Sequence, residues 1–381
     1  MMWLKLVLLI VLLTLVYLSP KSLIPKLVFY LLLGILASPY QLNLVYTGAL
    51  NRWGPFIRNF SLAVILLRSG LGLSLSHFKH QAKPLYLLST LPALFEALMI
   101  GLSAYLFFGF SLKPAFLLAF MLAAVSPAVI VPKMLEIMSL DDERKKDAQR
   151  ILAAASLDDV LSMTLFFLIL NGTGGFSWRS LLFLPLKLIA SVLLARLMSQ
   201  ILLWLKLPLK YNLLLLIISA YLLQTSDVLF VLPLLSIIFM GVYVAEIWPQ
   251  NKNYYEKYLS SLWSLLEIAL FFYVGTIINL SLARSVLLMG FLIIIIGLMG
   301  RFIGVFIATY ELKQDKTFYY IATIPKATVQ AGLASVPLAY GVAAGETLLA
   351  VAVLAILITA PLGALLLEYY DYQFRRKKSF H

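Results

Sequence analysis

Met121-Leu-Ala-Ala-Val-Ser126-Pro127-Ala-Val-Ile-Val-Pro132-Lys133 lies inside an apolar run that spans 114–138. A run of that length crosses a bilayer core, which takes about 20 residues of helix. Proline removes one backbone hydrogen bond and clashes with the turn before it. A polar neighbour such as Ser126 can satisfy the backbone groups this frees. The stretch therefore predicts a membrane helix broken near its middle. A counterpart follows at Ala322-Thr-Ile-Pro325-Lys326-Ala-Thr328-Val-Gln330-Ala-Gly332-Leu-Ala-Ser335-Val-Pro337. A lone proline kink is common in membrane helices. Two runs that each pair prolines (Pro127 with Pro132, Pro325 with Pro337) with Ser, Thr or Gln predict breaks that serve a function.

The rest of the chain agrees with a membrane setting. Hydrophobic residues make up 62% of its 381 residues and charged ones 12%, against about 45–50% and 25% in a soluble domain. Apolar runs fall at 2–19, 22–38, 56–76, 85–110, 114–138, 148–170, 180–205, 209–226, 228–247, 258–280, 285–310, 318–341 and 346–368. The expected fold is all-α and polytopic, with about thirteen membrane helices in a single transmembrane unit, 1–381. The alternation of a β-barrel is missing. The first run, Trp3–Leu18, has no small-residue cleavage site after it and reads as a helix rather than a signal peptide. With no cysteine, disulfides and thiolate metal sites are excluded. The three histidines lie in loops or at the terminus, so a proton carrier within the membrane must be a carboxylate or an amine.

The net charge of +13 does not point to nucleic acid. The bases sit in short loops, as the positive-inside rule requires. If Arg375-Arg376-Lys377-Lys378 is cytoplasmic, thirteen crossings put the N-terminus outside. Seventeen bases then fall inside and six outside, and seven lie within the runs. The fifth and twelfth runs are seven crossings apart and run in opposite directions. That is the arrangement of an inverted repeat, with substrate bound where the two breaks cross.

Charged groups inside a membrane are costly and are candidates for function. Depth follows from the helical rise of about 1.5 Å per residue. Asp158, Asp159, Glu96, Arg301 and Lys326 each come out about 12–16 Å from the inner end of their run, near the middle of a core about 30 Å thick. Asp158 and Asp159 are adjacent and point about 100° apart, which predicts two roles. One would bind a cation or proton, and the other would pair with a fixed base. Glu96 and Arg301 match in depth and sign and read as a buried structural pair. Gly297, Gly300 and Gly304 flank Arg301 and permit close packing. Lys326, beside Pro325, could neutralise Asp158 or hold the broken segment. Lys133 lies about 8 Å deep and reads as snorkelling or lining an inner vestibule, unless with Glu136 it compensates a helix end.

The strings Ser126-Pro127-Ala128-Val129-Ile130-Val131-Pro132, Ser156-Leu157-Asp158-Asp159 and Ile324-Pro325-Lys326-Ala327-Thr328-Val329-Gln330-Ala331 resemble the monovalent cation:proton antiporters. Among them, the solute carrier family 9 subfamily B exchangers and their bacterial relatives are the most similar branch. Leu67-Arg68-Ser69-Gly70-Leu71-Gly72-Leu73 and Phe272-Tyr273-Val274-Gly275 resemble family segments too. The resemblance implies a homodimer with a mobile core and a dimerisation domain. The core repeats would be 56–170 and 258–368. Residues 171–257, with 1–55, would supply linker and dimerisation helices, and 369–381 a basic cytoplasmic tail. It implies that Asp159 is the principal carboxylate, with Asp158 as its neighbour, pairing with Lys326, and Glu96 with Arg301 as the buried pair. Relatives that carry lysine at the Arg301 position have been linked to electrogenic exchange, and arginine stays charged.

The expected activity is exchange of Na⁺ or Li⁺ for H⁺ by alternating access in the cell membrane. Cation and proton would compete for Asp159. Ser126, Ser156, Thr328 and backbone carbonyls at the breaks would be supporting oxygen ligands. No cofactor and no enzymatic step are called for. The alternative on the same fold is a Na⁺-coupled symporter of an organic anion. An intramembrane aspartyl protease needs two aspartates that face each other and share a proton, which adjacent residues on one helix cannot do. A passive channel would dissipate a gradient without coupling.

Overall fold

The computed structural model describes residue 10 and residues 24–72, 78–141, 143–170, 184–225, 232–310 and 315–378. Of the first expected run, 2–19, only residue 10 is among them, and Lys21, Arg179, Lys313 and His77 lie outside. Every regular element among the described residues is helical. In chain order the helices are α1 (Lys26–Ala37), α2 (Thr47–Gly72), α3 (Phe78–Phe107), α4 (Leu112–Ala123), α5 (Pro127–Leu140), α6 (Lys145–Leu170), α7 (Leu184–Trp204), α8 (Leu209–Thr225), α9 (Pro233–Ile247), α10 (Lys252–Ile277), α11 (Leu280–Ser285), α12 (Leu287–Ala308), α13 (Lys316–Ala322), α14 (Thr328–Ala334), α15 (Val336–Ala339) and α16 (Gly345–Lys378). Seven helical spans among the described residues are long and apolar enough to cross a membrane, and four shorter apolar helices accompany them.

The run 114–138 divides into α4 and α5, with Ala124 and Ser126 extended between them. Pro127 opens α5 at its first turn, where a missing N–H costs nothing. The run 318–341 divides into α13, α14 and α15, with Pro325 in the gap before Thr328. One of the four prolines expected to break helices does not: Pro132 sits inside an unbroken α5, whereas Pro337 lies in the first turn of α15, just past Ser335, which ends α14. An interior proline forfeits one hydrogen bond, which a packed helix tolerates. Pro55, Pro84, Pro92 and Pro361 also lie within continuous helices.

The last run does not stop at 368. It continues as α16 to Lys378, so most of the expected basic tail is helix. Elsewhere the core depends on close crossings of the kind small residues allow in membrane helices. A Cβ on Gly275 of α10 would stand 2.8 Å from the Ile35 nitrogen of α1. One on Gly304 of α12 would stand 2.6 Å from Pro92 Cα of α3. That second crossing brings Arg301 against α3.

Candidate functional site

The two breaks touch through their backbones. The Ser126 amide donates to the Pro325 carbonyl at 2.9 Å. The hydroxyls of Ser126 and Thr328 are 3.4 Å apart, and the Thr328 amide approaches Ser126 Oγ at 3.4 Å. A break leaves the last carbonyls of a helix without intrahelical donors. At the end of α4 these groups are supplied by side chains. Gln330 Nε2 donates to the Met121 and Ala124 carbonyls at 3.0 and 2.9 Å, with that of Leu122 at 3.5 Å. Arg301 Nη2 donates to the Ala123 carbonyl, and Lys326 Nζ reaches the same oxygen at 3.2 Å. Each of these four carbonyls thus has a donor from the protein.

Around this capped end lie four buried charges. Arg301, fully buried, donates Nε to Glu96 Oε2 and both terminal nitrogens to Asp158 Oδ2 at 3.2 Å. Lys326 Nζ donates to the same Glu96 oxygen at 2.8 Å. Two carboxylates and two bases thus form a neutral quartet at depths the apolar runs had equated. The expected pairing of Asp158 with Lys326 is not the one formed. Lys326 holds Glu96, and Asp158 holds Arg301. Ser162 Oγ completes Asp158 at 3.4 Å from Oδ1.

Asp159 stands apart from the quartet. It is as buried as Asp158, at 3% exposure, yet its Oδ1 has no hydrogen-bond partner among the described residues. Of the expected supporting oxygens, Ser126 and Thr328 meet at the crossing. Ser156 is half-buried on α6, its hydroxyl donating to the Leu152 carbonyl at 3.1 Å.

Two residues, Gln330 and Arg68, had no role assigned from sequence, and a third, Lys133, had alternatives. Gln330 was visible only as a polar residue after a proline. Arg68 had no partner in view; it is half-buried on α2. Lys133 forms the pairing with Glu136 that the sequence allowed. It is buried and pairs with Glu136, Glu368 and Asp371 at 3.1, 2.7 and 2.8 Å. Three carboxylates neutralise it where it stands, and two of them lie at or beyond the end of the last apolar run.

Gln330→Leu is expected to lower thermal stability. It withdraws the donors of two buried carbonyls, at about 1–3 kcal/mol for each left unsatisfied. A melt of the purified protein in detergent reads this. An unchanged midpoint would show that those carbonyls find other donors.

Comparison with known proteins places this arrangement. The family described as "Sodium/hydrogen exchanger, transmembrane" matches residues 7–368. Sodium/hydrogen exchanger 9B2 of Homo sapiens is 32% identical over 345 residues, covering 83% of this chain. Sodium/hydrogen exchanger 9B1 of Homo sapiens is 30% identical over 368 residues, covering 88% of this chain and 70% of that protein. The match spans 63% of the 9B2 relative, less than two thirds of its length. In fold, the chain is similar to the sodium proton antiporter MjNhaP1 from Methanocaldococcus jannaschii, solved at pH 8. The TM-score is 0.73 at 21% identity, over 96% of both chains. With a family match over nearly its whole length and apolar helices sufficient for several crossings, the chain is a multi-pass membrane protein that belongs to the sodium/hydrogen exchanger family.

Proposed function

We propose that the protein exchanges Na⁺ or Li⁺ for H⁺ across a cell membrane, with both ions competing for Asp159. The observation that carries this reading is the unpartnered, buried Oδ1 of Asp159 beside a closed quartet of fixed charges. A buried carboxylate oxygen without a donor is expensive. A bound alkali cation or a proton relieves that cost, and each excludes the other. The quartet is neutral by itself, so its members need no exchanging ion. Hard oxygen donors from Ser126, Thr328 or Ser156 would complete the shell of an alkali cation. The symporter alternative has less support. An anion would have to approach the buried carboxylate of Asp159, which repels it.

Alternating access would move a core built from 56–170 and 258–368 against 171–257 and the N-terminal helices, in a homodimer. Thirteen crossings related by an inverted repeat place the basic end of α16 in the cytoplasm and the N-terminus outside. Arg301, permanently charged, favours exchange without net charge movement.

The reading is tested in proteoliposomes with a preset proton gradient and a pH dye, adding Na⁺, Li⁺ or K⁺ in turn. Collapse of the gradient only on addition of a transported cation is expected. Competition also fixes the direction of the pH effect. Where the proton dominates the site, each unit of falling pH raises the half-saturating Na⁺ concentration about tenfold. A half-saturation constant independent of pH, or gradients indifferent to all three cations, would point to the symporter.

A further inference from the structure

The inner ends of the two broken helices are joined by α16. Asp371, three residues past the last apolar run, is 2% exposed. Three bases converge on it: Lys133 of α5 at 2.8 Å, Arg144 from the turn between α5 and α6 at 2.6 Å, and Arg375 of α16 at 2.9 Å. Arg375 also reaches Glu136 of α5 at 2.8 Å. The Arg144 guanidinium lies 3.9 Å from the Phe374 ring centre and donates Nε to Asp141 at 2.7 Å. The same stretch of α16 grips α13. Tyr370 donates its hydroxyl to Asp315, the residue that caps α13, and stacks on Phe318 at 5.8 Å.

Each gripped helix ends at a break. Ser126 lies seven residues before Lys133, about 10 Å along α5. Pro325 lies seven residues after Phe318, beyond the end of α13. Helical segments this short behave as rigid rods. A shift where α16 holds them is therefore a shift where Ser126 meets Pro325 and Thr328. Resting on the exchange reading above, we propose that Asp371 is a positioning residue for ion exchange: by tying α5 and the α5–α6 turn to α16, which also holds α13, it sets the register of the two crossed breaks beside Asp159.

The ion pairs and ring contacts named above join α5, the α5–α6 turn, α13 with its cap Asp315, and α16. None of those named here reaches α1, α2 or α7–α10. The strap thus lies within one body and stays closed while that body moves. It is a brace and not a gate.

The experiment measures Na⁺-dependent proton movement in proteoliposomes for wild type, Asp371→Asn and Asp371→Glu. Wild-type exchange is established first, so a failure of the exchange reading shows there and not in the variants. Asp371→Asn leaves Lys133 with Glu136 and Glu368, and Arg144 with Asp141, so the variant retains its fold. Its half-saturating Na⁺ concentration is expected to rise about five- to tenfold, with the maximal rate within about twofold of wild type. Asp371→Glu should recover most of the affinity. A fold defect alone would lower the amount of active protein and the maximal rate, not the affinity. Should Asp371→Asn fail to purify, Arg375→Ala removes an exposed partner and is expected to raise half-saturation about twofold.

The chain has no cysteine, which permits a second arm. Glu136→Cys with Arg375→Cys, joined by a short bifunctional thiol reagent, should transport at the wild-type rate and restore affinity when combined with Asp371→Asn. Unchanged half-saturation in both Asp371→Asn and Arg375→Ala would overturn the role. So would exchange that stops on cross-linking and returns on reduction, because the strap would then have to open in each cycle.

Discussion

In Asp159→Asn, sodium-dependent proton movement is expected to stop altogether, while the protein melts no earlier than wild type. Both halves follow from the geometry. The carboxylate is buried and lies outside the quartet, and its Oδ1 lacks a donor. Removing its charge breaks no ion pair and lifts a desolvation cost. What is lost, on the exchange reading, is the carboxylate that trades a proton for a cation. Asp158→Asn makes the contrast. The two residues are adjacent and equally buried, but Asp158 accepts two guanidinium hydrogen bonds from Arg301. Its replacement should lower the melting temperature and leave residual exchange. Proton movement in Asp159→Asn at the wild-type rate would remove Asp159 from the mechanism. A melt well below wild type would place it in the structural network instead.

Arg301→Leu is expected to be the most destabilising change in the transmembrane body. The guanidinium binds Glu96 through Nε, Asp158 through both terminal nitrogens and the Ala123 carbonyl through Nη2. Its removal leaves two buried carboxylates facing a single ammonium, that of Lys326. Breaking a buried ion pair from one side costs about 3–5 kcal/mol, a large share of the stability of most proteins. Little folded protein should be recovered. Arg301→Lys keeps the charge but cannot span three acceptors with one planar fork, and should fall between. Adding Asp158→Asn to Arg301→Leu removes the orphaned charge and should restore part of the loss, the non-additivity of residues in contact. Size-exclusion profiles and melts in detergent measure the series. A monodisperse Arg301→Leu with a wild-type melt would mean that the quartet contributes nothing to the fold.

Much of the candidate site was readable from residue order because depth in a membrane is nearly a one-dimensional quantity. Run boundaries and the helical rise placed Asp158, Asp159, Glu96, Arg301 and Lys326 at one level, and the structure joins four of these five. The breaks were readable as well, though not proline by proline. Pro127 and Pro325 mark them, whereas Pro132 lies in a helix that simply continues. What distinguishes Pro127 and Pro325 is a neighbour across the crossing that takes up the freed backbone groups, and no single run contains that information.

Class, the two interruptions and the level of each buried charge were thus decided by the order of residues, since each depends only on local composition and distance along a helix. Partner choice was decided by the tertiary structure. Rise along the axis fixes depth, but the direction in which a side chain leaves the axis matters only once neighbouring helices are in place. That is why Lys326 meets Glu96 and not Asp158, why Gln330 caps α4 from another helix, and why Asp371 gathers bases from three segments. The same packing leaves Asp159, one residue along from a fully engaged aspartate, with an oxygen that has no donor among the described residues.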